Sequence, residues 1–338
     1  MPTLPVAAAL SCAPSVPLFT LFPLNIILFE PEEFFDATPA HDAHDAQAGA
    51  HTHVASVRAR AHATLALPRA DPRTTHILDV LRRKPGDTFD AGLIDGPRGK
   101  ATLAAILPAT PAASTMPNAP AAHAVPNTSD APDAPITPDT PTAPAASAGA
   151  LSLTFSWDKN EPPPLPPVTL VIGLPRPQTA RKILNEATSL GVSEIHFVTT
   201  GRGEPSYAQS ALWTTGEYRR HLIAGAAQAF CTRIPRVTFG ATLAETITAL
   251  AAAQPGAHRI ALDNYESPAA LSDHLRKLSP APASLILALG SERGWTAAER
   301  AQLRTAQYAF AHLGARVLRT ETAATAALSL ALARLERL

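Results

Sequence analysis

Two short stretches near the end of the chain carry residues suited to holding a small ligand. The first is Leu289-Gly290-Ser291-Glu292-Arg293-Gly294-Trp295; the second is Leu313-Gly314-Ala315-Arg316-Val317-Leu318-Arg319-Thr320-Glu321-Thr322. Each places a glycine directly after an apolar run, where backbone has to come close to a ligand or to another piece of chain. Charged side chains follow at once: Glu292 in the first stretch, Arg319 and Glu321 in the second. A carboxylate can take a proton and a guanidinium can stabilise a developing anion, so both stretches offer acid–base and electrostatic chemistry. The spacing fits neither GxGxxG nor GxxxxGK[ST], so a dinucleotide or a nucleoside triphosphate is not indicated. Each stretch alone also reads as an ordinary turn from strand into helix. Glu292 would then serve the dipole of the helix starting near Thr296, and Glu321 and Thr322 would cap the last helix.

The elements around these stretches fix where they must lie. Short, mainly apolar runs alternating with helical patterns predict strands at 168–174, 194–200, 259–264, 284–289 and 308–313, with a short extended piece at 237–240. Between them, helices are expected from Pro177 to the stop at Gly191, and at 216–230, 243–253, 268–278, 296–306 and 320–338. Thr296 and Glu299 form a capping box at the start of one of them. Repeated β-α units imply an α/β domain with a mainly parallel sheet and helices on both faces. Ligands in such sheets bind beyond the carboxyl ends of the strands, where both glycine stretches fall.

The first half of the chain differs. A β-type run at 25–29, short apolar segments between 59 and 106, and the Asp95-Gly96 hairpin signal describe a small β-rich unit. The alternating 151–157 (LSLTFSW) completes it across an Ala/Pro/Thr-rich insertion. The expected organisation is an extension at 1–23, the β-unit at 24–160 with disordered insertions at 36–57 and 108–150, and the α/β domain at 161–338. Prolines at 162–167 form a stiff link between the two domains.

Lys and Arg number 28, as do Asp and Glu, so the net charge is zero, which argues weakly against nucleic acid as a partner. A local patch can override that balance, and Arg82-Arg83-Lys84 supplies one. Two distant cysteines, Cys12 and Cys231, suggest neither a disulfide framework nor a metal site, and fit a reducing, cytoplasmic setting. The apolar 5–28 region is broken by prolines and has no Lys or Arg before Arg58, so it reads as an extension rather than a signal peptide. No run is long enough for a membrane span. His41, His44, His51 and His53 sit in an insertion without a firm scaffold, and no metal site is expected there.

Taken together and in this order, the two glycine stretches resemble the hallmark motifs of the SPOUT methyltransferase superfamily. The resemblance is to the family that methylates uracil N3 in 16S ribosomal RNA. Its second motif, Leu-Gly-x-Arg-Ile-Leu-Arg-x-Glu-Thr-Ala, is matched from Leu313 to Ala323 with Val317 for isoleucine. Its first, Gly-Pro-Glu-Gly-Gly-Phe, is matched more loosely, with Ser291 for proline, Arg293 for glycine and Trp295 for phenylalanine. Further similarity lies in Glu-Ala-Thr-Ser-Leu-Gly-Val (186–192), in Ser206-Tyr207-Ala208-Gln209-Ser210, in Ala227-Gln228 with Arg233 and Pro235, and in His76-Ile77 through Gly86-Asp87.

The resemblance implies a trefoil-knotted domain preceded by a PUA-like RNA-binding β-barrel. It implies S-adenosylmethionine as cofactor, held by Leu262, Leu289, Gly290, Gly294, Leu313, Gly314, Val317, Leu318 and Thr322. The implied partner is 16S ribosomal RNA or the small ribosomal subunit, contacted through Arg82, Arg83, Arg202, Tyr207 and Arg233. Methyl transfer to an imide nitrogen needs in-line geometry, loss of a proton and an unpaired base; Glu292, Arg319 and Glu321 are the implied catalytic candidates. The superfamily also implies a homodimer. Small residues on the last helix (Ala323, Ala326, Ala327, Leu330, Ala331) permit close packing, with burial against the chain's own sheet as the alternative. Two other readings stay open: a SPOUT enzyme acting on transfer RNA or a ribose hydroxyl, and a non-catalytic RNA-binding assembly factor.

Overall fold

The computed structural model describes residues 26–34, 63–108 and 149–338. The extension at 1–23, the insertion at 36–57 with its histidines, Cys12, and nearly all of 108–150 lie outside the described residues.

The first unit is a five-stranded sheet in the order β1-β3-β4-β5-β2. Its strands are β1 (Ile27–Phe29), β2 (Ala63–Pro68), β3 (Thr88–Leu93), β4 (Arg98–Leu107) and β5 (Ala150–Trp157). β3 and β4 form the hairpin expected around Asp95-Gly96; the turn closes one residue earlier than the Asp-Gly signal places it, with Gly96 N–H donating to Leu93 O at 2.8 Å and Asp95 at φ +55°. β4 pairs antiparallel with β5 up to Leu107 opposite Ala150, so the ends flanking the long insertion lie side by side. Alternation on β5 buries Leu151, Leu153 and Phe155, which pack with Phe29, Phe34 and Leu103. Within this β-rich unit, residues 72–80, for which no helix was expected, coil into helical turns, Pro72–Thr75 and His76–Val80. Pro72 presets the first φ, and the Asp71 carboxylate accepts the free N–H of Arg73.

The second unit is a six-stranded sheet in the order β11-β9-β10-β6-β7-β8, every pairing parallel. It comprises β6 (Val168–Gly173), β7 (Glu194–Thr199), β8 (Arg236–Thr242), β9 (His258–Leu262), β10 (Leu285–Leu289) and β11 (Ala309–Ala311). Its longer helices are α1 (Pro177–Leu190), α2 (Tyr218–Gln228), α3 (Leu243–Ala253), α4 (Leu271–Lys277), α5 (Ala297–Thr305) and α6 (Thr320–Arg334), with short helical turns at Pro205–Gln209 and Ala211–Thr214. β6 and β10 are buried on both faces, which is why they read as unbroken apolar runs. Leu170 and Ile172 face the core shared with α1, α2, α4 and α6. Val171 faces the opposite core, beneath α3 and α5.

Several boundaries differ from expectation for local reasons. The helix expected from 216 begins at Tyr218, because Gly216 turns the chain with φ +72°. The helix expected from 268 begins at Leu271, because Ala270 forms a strand-like bridge with His312. The final helix stops at Arg334. Within it Ala327 and Ala331 are fully buried and pack into the chain's own core, while Leu330 remains 37% exposed.

The units meet through a small apolar contact of Ile26, Leu28 and Ile94 with Ala226. The Thr232 hydroxyl donates to Gly96 O at 2.6 Å, and Arg219 grips Glu30 through two bonds of 2.8 and 2.9 Å. Among the described residues no helix is long and apolar enough to cross a membrane, and no group of three or more His, Cys, Asp or Glu gathers as metal ligands would.

Candidate active site

The chain reverses direction across the sheet between β8 and β9, so β9 and β11 add on the far side of β10. Just past the ends of β9, β10 and β11 lies a cavity of about 590 Å³, within the size range of small-molecule sites. Its walls are three loops, starting at Leu262, at Leu289 and at His312. Leu262, Leu289, Gly290, Glu292, Gly294, Leu313, Gly314, Val317 and Leu318 all line it. Arg319, Glu321 and Thr322 do not; Thr320 and Ala323 reach it from the same helix start.

Packing dictates the shape of the middle loop. A Cβ on Gly290 would lie 2.8 Å from both Cα and C of Gly294, so only glycine lets the loop fold back on itself. At the end of β6, a Cβ on Gly173 would sit 2.4 Å from Ser291 N, which presses the loop from the other side. Trp295 is wholly buried under the loop, and its Nε1–H donates to Leu262 O at 3.1 Å, tying the β10 loop to the end of β9. Gly294 (φ +69°) and Gly314 (φ +108°) face open space instead: a Cβ built on either meets nothing within 4 Å. The cavity is therefore walled in part by bare backbone, a cradle that admits a ligand against N–H and C=O groups.

The β9 loop is held by charge. Asp263, buried, accepts the N–H groups of Tyr265 and Glu266 at 2.7 Å on Oδ1 and the Arg300 Nε–H at 2.7 Å on Oδ2. The side chains of this ion pair are 8% and 2% exposed, so removing one partner would strand a buried charge. The sequence reading missed Asp263, Tyr265 and Arg300; the Asp263-Asn264 pair directly after an apolar strand was the available signal.

A second, smaller pocket of about 200 Å³ adjoins the first. Arg176, Arg202, Gly203, Glu204 and Tyr207 line it together with Glu292 and Arg293, which also line the larger cavity. Glu292 Oε1 accepts the backbone N–H of Arg176 at 3.0 Å, and Arg202 donates to Arg293 O at 2.9 Å. Glu292 thus stands on the partition between the pockets, with cationic side chains beyond it. Glu321 instead pairs with Lys182 at 3.2 Å. Burial pushes its pKa up, but hydrogen bonds from its own N–H and from Lys182, with the nearby charge of Arg319, outweigh burial and hold it below the ordinary carboxylate range. Arg319 is the exposed N-cap residue of α6.

The remaining RNA candidates are dispersed. Arg82, exposed and at φ +53°, and half-buried Arg83 lie in the turn before β3. Arg233 donates to the carbonyls of Pro162 and Pro163, where it braces the link between the units.

The parallel α/β sheet thus carries a backbone-walled pocket at its strand ends, next to a pocket lined by Arg176, Arg202 and Arg293. The RNA methyltransferase domain model matches residues 161–332. The chain is 30% identical over 278 residues to ribosomal RNA small subunit methyltransferase E of Treponema pallidum, covering 80% of this chain and 86% of that protein. It is 31% identical over 164 residues to ribosomal RNA small subunit methyltransferase E 1 of Borreliella burgdorferi, covering 47% of this chain and 63% of the other. Among solved structures, ribosomal RNA small subunit methyltransferase E from Neisseria gonorrhoeae bound to S-adenosyl methionine superposes with TM-score 0.56 at 17% identity, covering 91% of this chain and 97% of that one. The chain belongs to the RNA methyltransferase family, in its ribosomal RNA small subunit methyltransferase E branch.

Proposed function

We propose that this protein transfers the methyl group of S-adenosylmethionine to N3 of a uridine in 16S ribosomal RNA. The observation that carries the reading is the shared partition: Glu292 and Arg293 wall both the 590 Å³ cavity and the arginine-lined pocket beside it. The larger cavity fits the donor, since its volume suffices and Gly294 and Gly314 offer bare backbone to it. The donor supplies an electrophilic methyl on a sulfonium. The three loops from Leu262, Leu289 and His312 would hold it. Tyr207 and Arg202 would receive the extruded base by stacking and charge, as single-stranded RNA is commonly held. In this reading Glu292 would take the N3 proton, and Arg176, Arg202 and Arg293, which line the same pocket, would supply positive charge to the uracil anion. Glu321, engaged by Lys182, holds the start of α6 instead of moving the proton.

The finer architecture belongs to the same proposal. The 313–319 segment is read as the threaded part of a trefoil knot, and the five-stranded unit as a PUA-like RNA-binding module with Arg82 and Arg83 on its surface. Leu330, exposed on α6, marks a face on which two copies pair. Cytoplasmic action on the small ribosomal subunit follows from the substrate. The test is methylation of small subunits by the purified chain with labelled donor, followed by nucleoside mass spectrometry. 3-Methyluridine is the expected product; a ribose 2′-O-methyl nucleoside or no incorporation overturns the reading.

A further inference from the structure

Tyr265 has no role in the reading above, yet it is the most exposed ring at the cavity. The residue is 77% exposed, and it lines the cavity from the β9 loop. Val317, 83% exposed, lines the same cavity from the β11 loop. Open apolar surface of this kind at a pocket mouth is the usual mark of a place where a ligand lies.

The loop that presents Tyr265 is pinned by hydrogen bonds and ion pairs. Both N–H groups at Tyr265 and Glu266 end on Asp263 Oδ1, and the Ser267 hydroxyl donates to Asp263 O. Arg300 clasps the other Asp263 oxygen and lies 3.6 Å from Glu266, which Arg304 also pairs. The Arg300 guanidinium carbon is 5.3 Å from the Tyr265 ring centre, so one side of the ring rests against a buried cation. The rest of the ring is open. A loop backbone so held need not be ordered when a flat partner settles on the ring.

Resting on the donor assignment above, we propose that Tyr265 is the stacking platform for the adenine of S-adenosylmethionine, with Asp263 and Arg300 as the positioning residues that hold it at the cavity mouth. The chemistry is base-on-aromatic stacking, which needs a ring and no hydroxyl.

The experiment is calorimetry on the full chain and its Tyr265→Ala and Tyr265→Phe variants, with two probes. One probe is S-adenosylmethionine; the other is 5′-methylthioadenosine, which keeps the nucleoside and lacks the amino acid. Tyr265→Ala should weaken both probes by the same factor, about tenfold, and Tyr265→Phe should restore both to within roughly twofold of the parent, since stacking needs only the ring. Being exposed, the alanine variant should fold, and its melting curve checks that. Three outcomes overturn the platform: unchanged affinity in Tyr265→Ala, loss for S-adenosylmethionine alone, or a loss that phenylalanine does not restore. A parent protein that binds neither probe overturns the donor assignment itself, and is told apart by needing no variant.

Discussion

Replacing Gly290 by alanine tests whether the crowded β10 loop builds the cofactor wall. The added Cβ would meet the Cα and carbonyl carbon of Gly294 at 2.8 Å and the Trp295 nitrogen at 3.1 Å. All three are backbone atoms, so no side chain can rotate away, and the loop from Ser291 to Trp295 has to move. Overpacking of this kind typically costs about 1–3 kcal/mol. For a domain of this size, 2 kcal/mol corresponds to a melting temperature roughly 4–8 °C lower. Because Gly290, Ser291, Glu292, Arg293, Gly294 and Trp295 all line the cavity, the displacement must also reach the ligand. If about 1.4 kcal/mol of it is felt there, S-adenosylmethionine affinity falls tenfold. Gly86→Ala is the control: it is also a strained site, with φ +96° and open space around the added Cβ, but it lies in the turn before β3. It should lower the melting temperature and leave affinity intact. Calorimetry beside thermal unfolding reads both quantities. Full affinity in Gly290→Ala, or equal losses of affinity in the two variants, would refute the argument.

Three further outcomes follow from the packing. Trp295→Phe, which also restores the residue usual in the resembled motif, removes the Nε1–H bond to Leu262 O inside a fully buried site; about 2 kcal/mol of stability should be lost in denaturant unfolding, and a loss below about 0.5 kcal/mol would show the bond to be idle. His258 and His274 face each other with Nε2 atoms 2.9 Å apart. Burial pushes both pKa values down; the charge of His274 adds to this at His258 and that of Lys277 at His274. The folded state therefore keeps them neutral while the unfolded chain takes up protons near its ordinary value of about 6.5. Stability should fall as pH drops below that point, and His274→Gln should flatten the dependence between pH 7 and 5; an unaltered pH profile would remove the pair from the explanation. Finally, joining β4 to β5 by a short turn in place of 110–148 should leave the melting temperature within a few degrees, because Leu107 and Ala150 are already register partners; loss of the cooperative transition would show that the insertion carries structure the sheet needs.

Much of the α/β unit was legible because its information is local. The unbroken apolar runs at Val168–Gly173 and Leu285–Leu289 had to be strands buried on both faces. Gly191, at φ +89°, stops α1 as expected, and Thr296 with Glu299 caps α5 as a reciprocal box. Glycine after an apolar strand also pointed to the loops at Gly290 and Gly314, which the structure places around one cavity. Local signals failed where conformation depends on distant partners. Residues 72–80 read as part of a β-unit because short apolar segments have no decisive period, and their helical turns are fixed by the Asp71 cap and by the burial of Ile77 in the sheet's core. No spacing along the chain signals that Arg233 donates to the carbonyls of Pro162 and Pro163, which are distant in sequence.

The sequence by itself determined the order of strands and helices, the parallel sheet, and the two glycine loops, since propensity, periodicity and chain stops act over a few residues. Only the tertiary structure decided which charged groups meet. Asp263 and Arg300 are far apart in the chain, as are Glu292 and Arg176, yet the first pair anchors the β9 loop and the second sets the partition between the pockets. Such pairings depend on strand order, with β9 and β10 lying on the far side of β6 from β7, and no spacing along the chain encodes that.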